Sequence, residues 1–302
     1  MTNIDTVAMT SSRAGLFSGL ERMISAELLK LRKRTMSKVF LLIMVIIIAL
    51  ANLLIFAATK NTSGTAPQGA TGTPDLLSSA IPAAFSLISF FGLFLAAIFT
   101  ASSMGNEYGW KTIRTALISS ESRFKFLTAK LVSLSFLIIS VMLIAVVVGF
   151  VTRMITIGLG GYSYSFSFFT GTYAWNQFLQ FWRTFFVLTP YCLLGFLMAI
   201  VGRSAMPGVA TSIGVFFLES IITAFMRSVS GWISHVPEYL LSANVSAIMG
   251  FNNQSSVIHI NGNGGTATAP PSMPHAFIVL SIYSLVFLVL GYYLFKKRDV
   301  TG

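Results

Sequence analysis

Charge is what this sequence has least of. Only 10% of its 302 residues are Asp, Glu, Lys or Arg, against 55% that are hydrophobic, and mean hydropathy is +0.79. A soluble domain of that length needs far more charge to solvate its surface. Cysteine is nearly absent: Cys192 stands alone inside an apolar block, which excludes an intramolecular disulfide framework and reads as packing. His235, His259 and His275 are scattered and no H-E-x-x-H occurs, which argues against a zinc site. There is no G-x-x-x-x-G-K-[ST] loop, so the chain cannot hold ATP in the usual P-loop manner. No G-x-S-x-G and no paired intramembrane carboxylates support a hydrolase, and no repeat of fixed period is present. No cofactor or metal is expected on this chain, and no enzymatic activity of its own.

What the sequence has instead is long apolar blocks, and these settle the class as an all-α integral membrane protein. A spanning helix needs about 20 apolar residues. Six segments qualify, at residues 39–59, 81–103, 131–152, 184–202, 204–226 and 276–295. A cytosolic tail, 1–38, precedes a single membrane domain, 39–302. The first block starts too far in and runs too long for a cleaved signal peptide, so it is expected to be retained. Net charge is +11, and because the basic residues flank apolar blocks they suit anionic headgroups rather than nucleic acid. Placing the N-terminus inside puts 16 Lys and Arg on the cytosolic side and 4, Lys60, Arg153, Arg183 and Arg227, outside. The expected topology therefore has both termini in the cytosol.

The outer connections agree in character. Residues 60–80 are rich in Gly, Ser, Thr and Pro and read as a loop. Tyr162, Tyr164, Phe166 and Phe168 alternate with serines, a pattern that permits a short strand. With Tyr173, Trp175 and Trp182 they form either an aromatic belt or a cargo contact surface. Residues 230–251 are too apolar for a plain loop and too broken to span, and read as short helices re-entering the outer leaflet. The fourth and fifth blocks meet in a tight turn at Gly202–Met206, with Pro207 suited to the first turn of the next helix. Pro190 is placed to kink the fourth block. Small residues four apart (Gly92/Ala96/Thr100, Gly195/Ala199, Ala210/Gly214) allow close helix approach, within one chain or between two.

Two cytosolic stretches have a mechanical reading. Before the first span, Leu20, Ile24, Leu28 and Leu31 share one helical face, with Arg22, Lys30 and Lys33 elsewhere. That describes an interfacial amphipathic helix with its apolar face in the acyl boundary. It either anchors the chain or also packs on a partner and transmits motion. Between spans two and three, Trp110, Ile113 and Leu117 make an apolar strip, and Glu107, Lys111 and Arg114 a charged one. Glu107 precedes Lys111 by four residues, the favourable order for a helical ion pair. Such a helix either lies on the membrane or seats in a groove on another protein.

The string E-Y-G-W-K-T-I-R-T-A-L-I-S-S-E-S-R-F-K-F-L-T-A-K (Glu107–Lys130) resembles the segment after the second span in permeases of the ATP-binding-cassette type-2 exporter family. Ala26-Glu-Leu-Leu-Lys-Leu-Arg and Phe295-Lys-Lys-Arg-Asp-Val are similar to its flanking segments, while Ser120 or Glu121 stands where the family often has proline. The resemblance implies a six-span permease that pairs with a second permease copy and binds two cytosolic ATPase subunits, where ATP and magnesium would reside. Residues Glu107, Trp110, Lys111, Ile113, Arg114, Leu117 and Arg123 would belong to the coupling helix. Leu20, Ile24, Leu28, Leu31 and Arg32 would belong to the connecting helix.

Glu219 is the one ionisable residue deep in a block, roughly 20 Å along the helix from Met206 at 1.5 Å per residue. Asn52 reaches a similar depth, and Arg183 at the outer end of the fourth block could reach toward it. These three are either packing contacts or part of a cargo route. The function expected is an ATP-driven exporter of amphipathic or lipid-like cargo, such as a peptide, antibiotic or lipid. An ion-coupled secondary transporter and a non-transporting scaffold or sensor for a cytosolic ATPase are the rivals.

Overall fold

A computed structural model describes residues 11–61, 75–109, 123–160, 164, 166–227, 232–252 and 271–297. Among them the chain is helical, with no sheet. Helix α1 is Ser11–Lys33, α2 Thr35–Asn61, α3 Asp75–Ser78 and α4 Ala80–Leu87. A π-turn, Ile88–Gly92, joins α4 to α5, Leu93–Gly109. Then come α6 (Arg123–Leu159), α7 (Gly171–Gly202) and α8 (Ala205–Arg227). A 3-10 turn, Trp232–Tyr239, leads to α9 (Leu241–Asn252) and α10 (Met273–Lys297). Six helices are long and apolar enough to cross a membrane: α2, α4 with α5, α6, α7, α8 and α10. The protein is a membrane-spanning bundle.

Each expected block coincides with one of these helices to within a residue or is exceeded by it, and two helices begin eight or more residues before their blocks. α6 begins at Arg123 rather than 131, and α7 at Gly171 rather than 184. Hydropathy stops counting where polar residues begin, but a helix continues until its backbone is capped. Thr170 supplies that cap, its Oγ1 accepting from the Tyr173 N–H at 3.3 Å. At the other end, Arg203 adopts the left-handed conformation (φ 50°) and closes α7. Two residues later α8 starts, with Pro207 in its first turn. The alternation near 162–168 makes no strand at the described positions. Tyr164 instead donates to the Met154 carbonyl at 3.2 Å.

Helix α5 sits at the centre, against α7 and α8. α6 lies along α1 and α2, and α10 along α7 and α9. Small residues set the central distances. A Cβ on Gly208 would meet the Ala101 and Ala199 side chains and the Gly195 carbonyl, and one on Gly195 the Ser212 hydroxyl and Ala97 carbonyl. The Gly195/Ala199 row therefore serves packing inside the chain, whereas Gly214 has open space before it.

Helix α1 meets the chain more closely than an interfacial helix would. Leu31 is buried, and Leu20, Ile24 and Leu28 are half-buried. Ser133 on α6 donates to the Ile24 carbonyl at 3.3 Å. The stripe expected in the acyl boundary is thus partly taken up by α6, because α6 extends far enough past the hydrocarbon to offer it a surface.

Candidate functional site

Three helices bring charge together at one end of the bundle. Glu107 lies near the end of α5 and is fully buried. Its Oε1 accepts from Lys30 of α1, from Arg34 just after α1 at 2.8 Å, and from Lys130 of α6 at 2.9 Å. Glu27 of α1 closes the group, with Oε2 3.3 Å from Lys130 and Oε1 3.4 Å from Lys30. Lys130 is as buried as Glu107. Two carboxylates face three cations, so every charge has an opposite neighbour and the cluster carries a net positive charge.

The local sequence explains the placement. Glu27 and Lys30 are three apart on α1 and share a face, and Lys130 projects from the inward stripe of α6 that also carries Ser133 and Leu134. In a low-dielectric surround such charges hold position only when paired, so α1, α5 and α6 are locked in one arrangement. Among the described residues the group is a connected set of ion pairs. Its capacity is mechanical: displacing any of the three helices displaces the others. Arg123 extends the junction, its Nη1 donating to the Lys296 carbonyl of α10 at 3.2 Å. Phe124 stacks on Tyr292 and Phe126 on Phe295.

Trp110, Lys111, Ile113, Arg114 and Leu117 lie outside the described residues. Glu107 is described, and the structure places it inside the bundle, with partners 77, 73 and 23 residues away in sequence. Glu27, Lys30, Arg34 and Lys130 are the members that the sequence reading did not bring together with Glu107. Arg32 is exposed on α1. Among the described residues no three His, Cys, Asp or Glu gather as metal ligands.

Asn52 and Glu219 belong to separate polar groups. Asn52 Nδ2 donates to Thr152 Oγ1 at 3.0 Å and to the Ile48 carbonyl at 3.1 Å, tying α2 to α6. Glu219 Oε2 accepts from the Ser242 N–H at 2.7 Å, in the first turn of α9. Tyr191 of α7 and Tyr283 of α10 flank that carboxylate, and Tyr283 donates to the Tyr239 carbonyl at 3.2 Å. Arg183 is half-buried on α7, two turns from Tyr191, or about 12 Å along the axis. Glu219 thus pins α9 to the long helices. Glu219→Leu should orphan the Ser242 N–H at a cost of about 1–3 kcal/mol and speed limited proteolysis within 232–252. Glu219→Gln keeps an acceptor and should leave the rate near wild type. Equal rates for all three chains would show that the bond holds nothing.

A protein of Bacillus subtilis (strain 168) described as "Uncharacterized protein YhcI" is 24% identical over 219 residues. The match covers 70% of this chain and 65% of that protein, just under two thirds of its length. Residues 68–301, from before α3 through α10, match the sequence profile of a family described as "Protein of unknown function (DUF2705)". With most of its length inside that match, this six-span helical membrane protein belongs to the DUF2705 family.

Proposed function

We propose that the chain is the permease subunit of an ATP-driven exporter in a bacterial cytoplasmic membrane. The cluster centred on Glu107 is the observation that carries the reading. It joins α1 to the ends of the second and third spans, on either side of residues 110–122. A push delivered to that segment reaches three helices through bonds that cannot stretch without exposing buried charge. Coupling of a cytosolic ATPase to a membrane pathway requires such a linkage, and the resemblance of Glu107–Lys130 to exporter permeases points to the same place.

In this reading both termini are cytosolic and residues 110–122 meet a groove of the ATPase. The 3-10 turn and α9 form the outer re-entrant cap. Two ATPase subunits bind ATP and magnesium, and a second permease copy completes the pathway. The chain itself holds no nucleotide and catalyses no reaction. The scarcity of charge within the spans suits amphipathic or lipid-like cargo.

Affinity purification of the tagged chain from its host in gentle detergent, beside a Trp110→Ala/Arg114→Glu variant, tests the proposal. The native chain should carry an ATPase with it, and the variant should lose most of it. If both recover none, and vesicles without ATP show transport driven by an ion gradient, the chain is a secondary transporter and Glu219 becomes its central residue.

A further inference from the structure

At the far end of the bundle from Glu107, a buried cation stands without a counter-charge among the described side chains. Arg153 is 3% exposed, and its Nε reaches no acceptor among the described residues. It continues the inward stripe of α6 that includes Ala145 and Gly149. A Cβ at Gly149 would meet Ala84 of α4 and Ile48 of α2. One turn further along, Asn52 donates to Thr152. Arg153 therefore stands where α2 and the start of α4 close on α6.

Among the carboxylates whose side chains are described, none neutralises it. Glu219 is engaged by the Ser242 N–H, and Glu238 pairs with His235 at 3.0 Å. A guanidinium does not escape burial by losing its proton, so the charge calls for an anion. Depth suggests which one. Lys130 and Arg153 are 23 residues apart on one helix, about 35 Å at 1.5 Å per residue. The hydrocarbon core is about 30 Å thick. With Lys130 at the Glu107 end, Arg153 comes to the headgroup level of the opposite leaflet, where phosphate oxygens are concentrated.

We infer that Arg153 binds the phosphate group of an amphiphile drawn from that leaflet, a resident phospholipid or a phosphate-bearing cargo. Five N–H donors in a planar fork match phosphate oxygens two at a time, and the Asn52–Thr152 pair holds α2 beside the site. The inference stands apart from the permease reading, because binding can be measured in a chain that moves nothing.

The test uses the full chain purified in a neutral glucoside detergent. Thermal unfolding is followed on titration with phosphatidylglycerol, a neutral galactolipid or inorganic phosphate. Phosphatidylglycerol should raise the wild-type midpoint, and Arg153→Met should need at least about tenfold more of it, given the strength of charge-assisted hydrogen bonds. The galactolipid should act alike on both. Native mass spectrometry of the chain as isolated then separates the sources: adducts of phospholipid mass mark a resident lipid, and other phosphate-bearing masses a cargo. If Arg153→Met does not accumulate, Arg153→Lys keeps the charge and loses the fork, and should respond with reduced affinity. An unchanged response in the available variant overturns the proposal, as does full stabilisation by inorganic phosphate alone. It also fails if Asp75→Asn, at the start of α3, mimics Arg153→Met and adds nothing to it, since the anion would then be the chain's own.

Discussion

Replacing Glu107 with alanine should destabilise the protein by about 3–5 kcal/mol, the scale set by breaking a buried ion pair from one side. Three cations converge on its Oε1, and Lys130 has no exposure through which water could replace the lost carboxylate. Glu27 remains, but at 3.3 Å from Lys130 and 3.4 Å from Lys30 it already serves both. The excess positive charge is therefore left facing low dielectric. Deleting charge of both signs gives the opposite expectation. Glu107→Gln/Lys130→Gln removes one anion and one cation, and should recover more than half of the stability lost in Glu107→Gln alone. The coupling in such a double-mutant cycle is expected at about 1–3 kcal/mol for groups in one network. Unfolding midpoints of the four chains in one detergent provide the check. Additive losses would mean that the two residues do not share a bond in the membrane protein. Part of the Lys30 contribution will be small in any case, since that side chain is about a third exposed and water screens it.

That cluster was hidden from sequence reasoning for a physical reason. Spacing rules see neighbours three and four residues away on one helix, and so they coupled Glu107 to Lys111. The partners the fold supplies come from α1 and α6, and no local period connects those to α5. A trace was present: Glu27 and Lys130 both stand inside the stretches that resemble exporter permeases. The six long helices were legible because the bilayer imposes a minimum apolar length that the chain meets six times. Their true ends were not, since Thr170 caps α7 at a point where hydropathy has already faded. For Asn52 and Glu219 the sequence suggested a similar depth but said nothing of azimuth, and Asn52 turns to α6 while Glu219 turns to α9. Small residues announced close helix approach, and only the assembled bundle says that Gly195 and Gly208 meet each other.

Gly105→Ala should be the most damaging glycine-to-alanine change among the described glycines. Gly105 lies two residues before Glu107 on α5, and its backbone presses on the turn between α7 and α8. A Cβ there would fall on the main chain of Ser204 and Ala205. Backbone cannot rotate away as a side-chain tip does, so α5 or the turn must move, at about 1–3 kcal/mol or more for overpacking. The turn has little freedom to give, since Arg203 already holds a left-handed conformation and Pro207 fixes the start of α8. Moving α5 instead draws Glu107 away from Lys30, Arg34 and Lys130, so the strain and the electrostatic loss reinforce each other. The same substitution at Gly214 is the control, because nothing lies within 4 Å of where its Cβ would stand. There alanine should stabilise α8 by up to about 1 kcal/mol through helix propensity alone. The pair thus predicts opposite signs for one chemical change at two helical glycines. If Gly105→Ala melts at or above Gly214→Ala, α5 does not rest on the turn between α7 and α8.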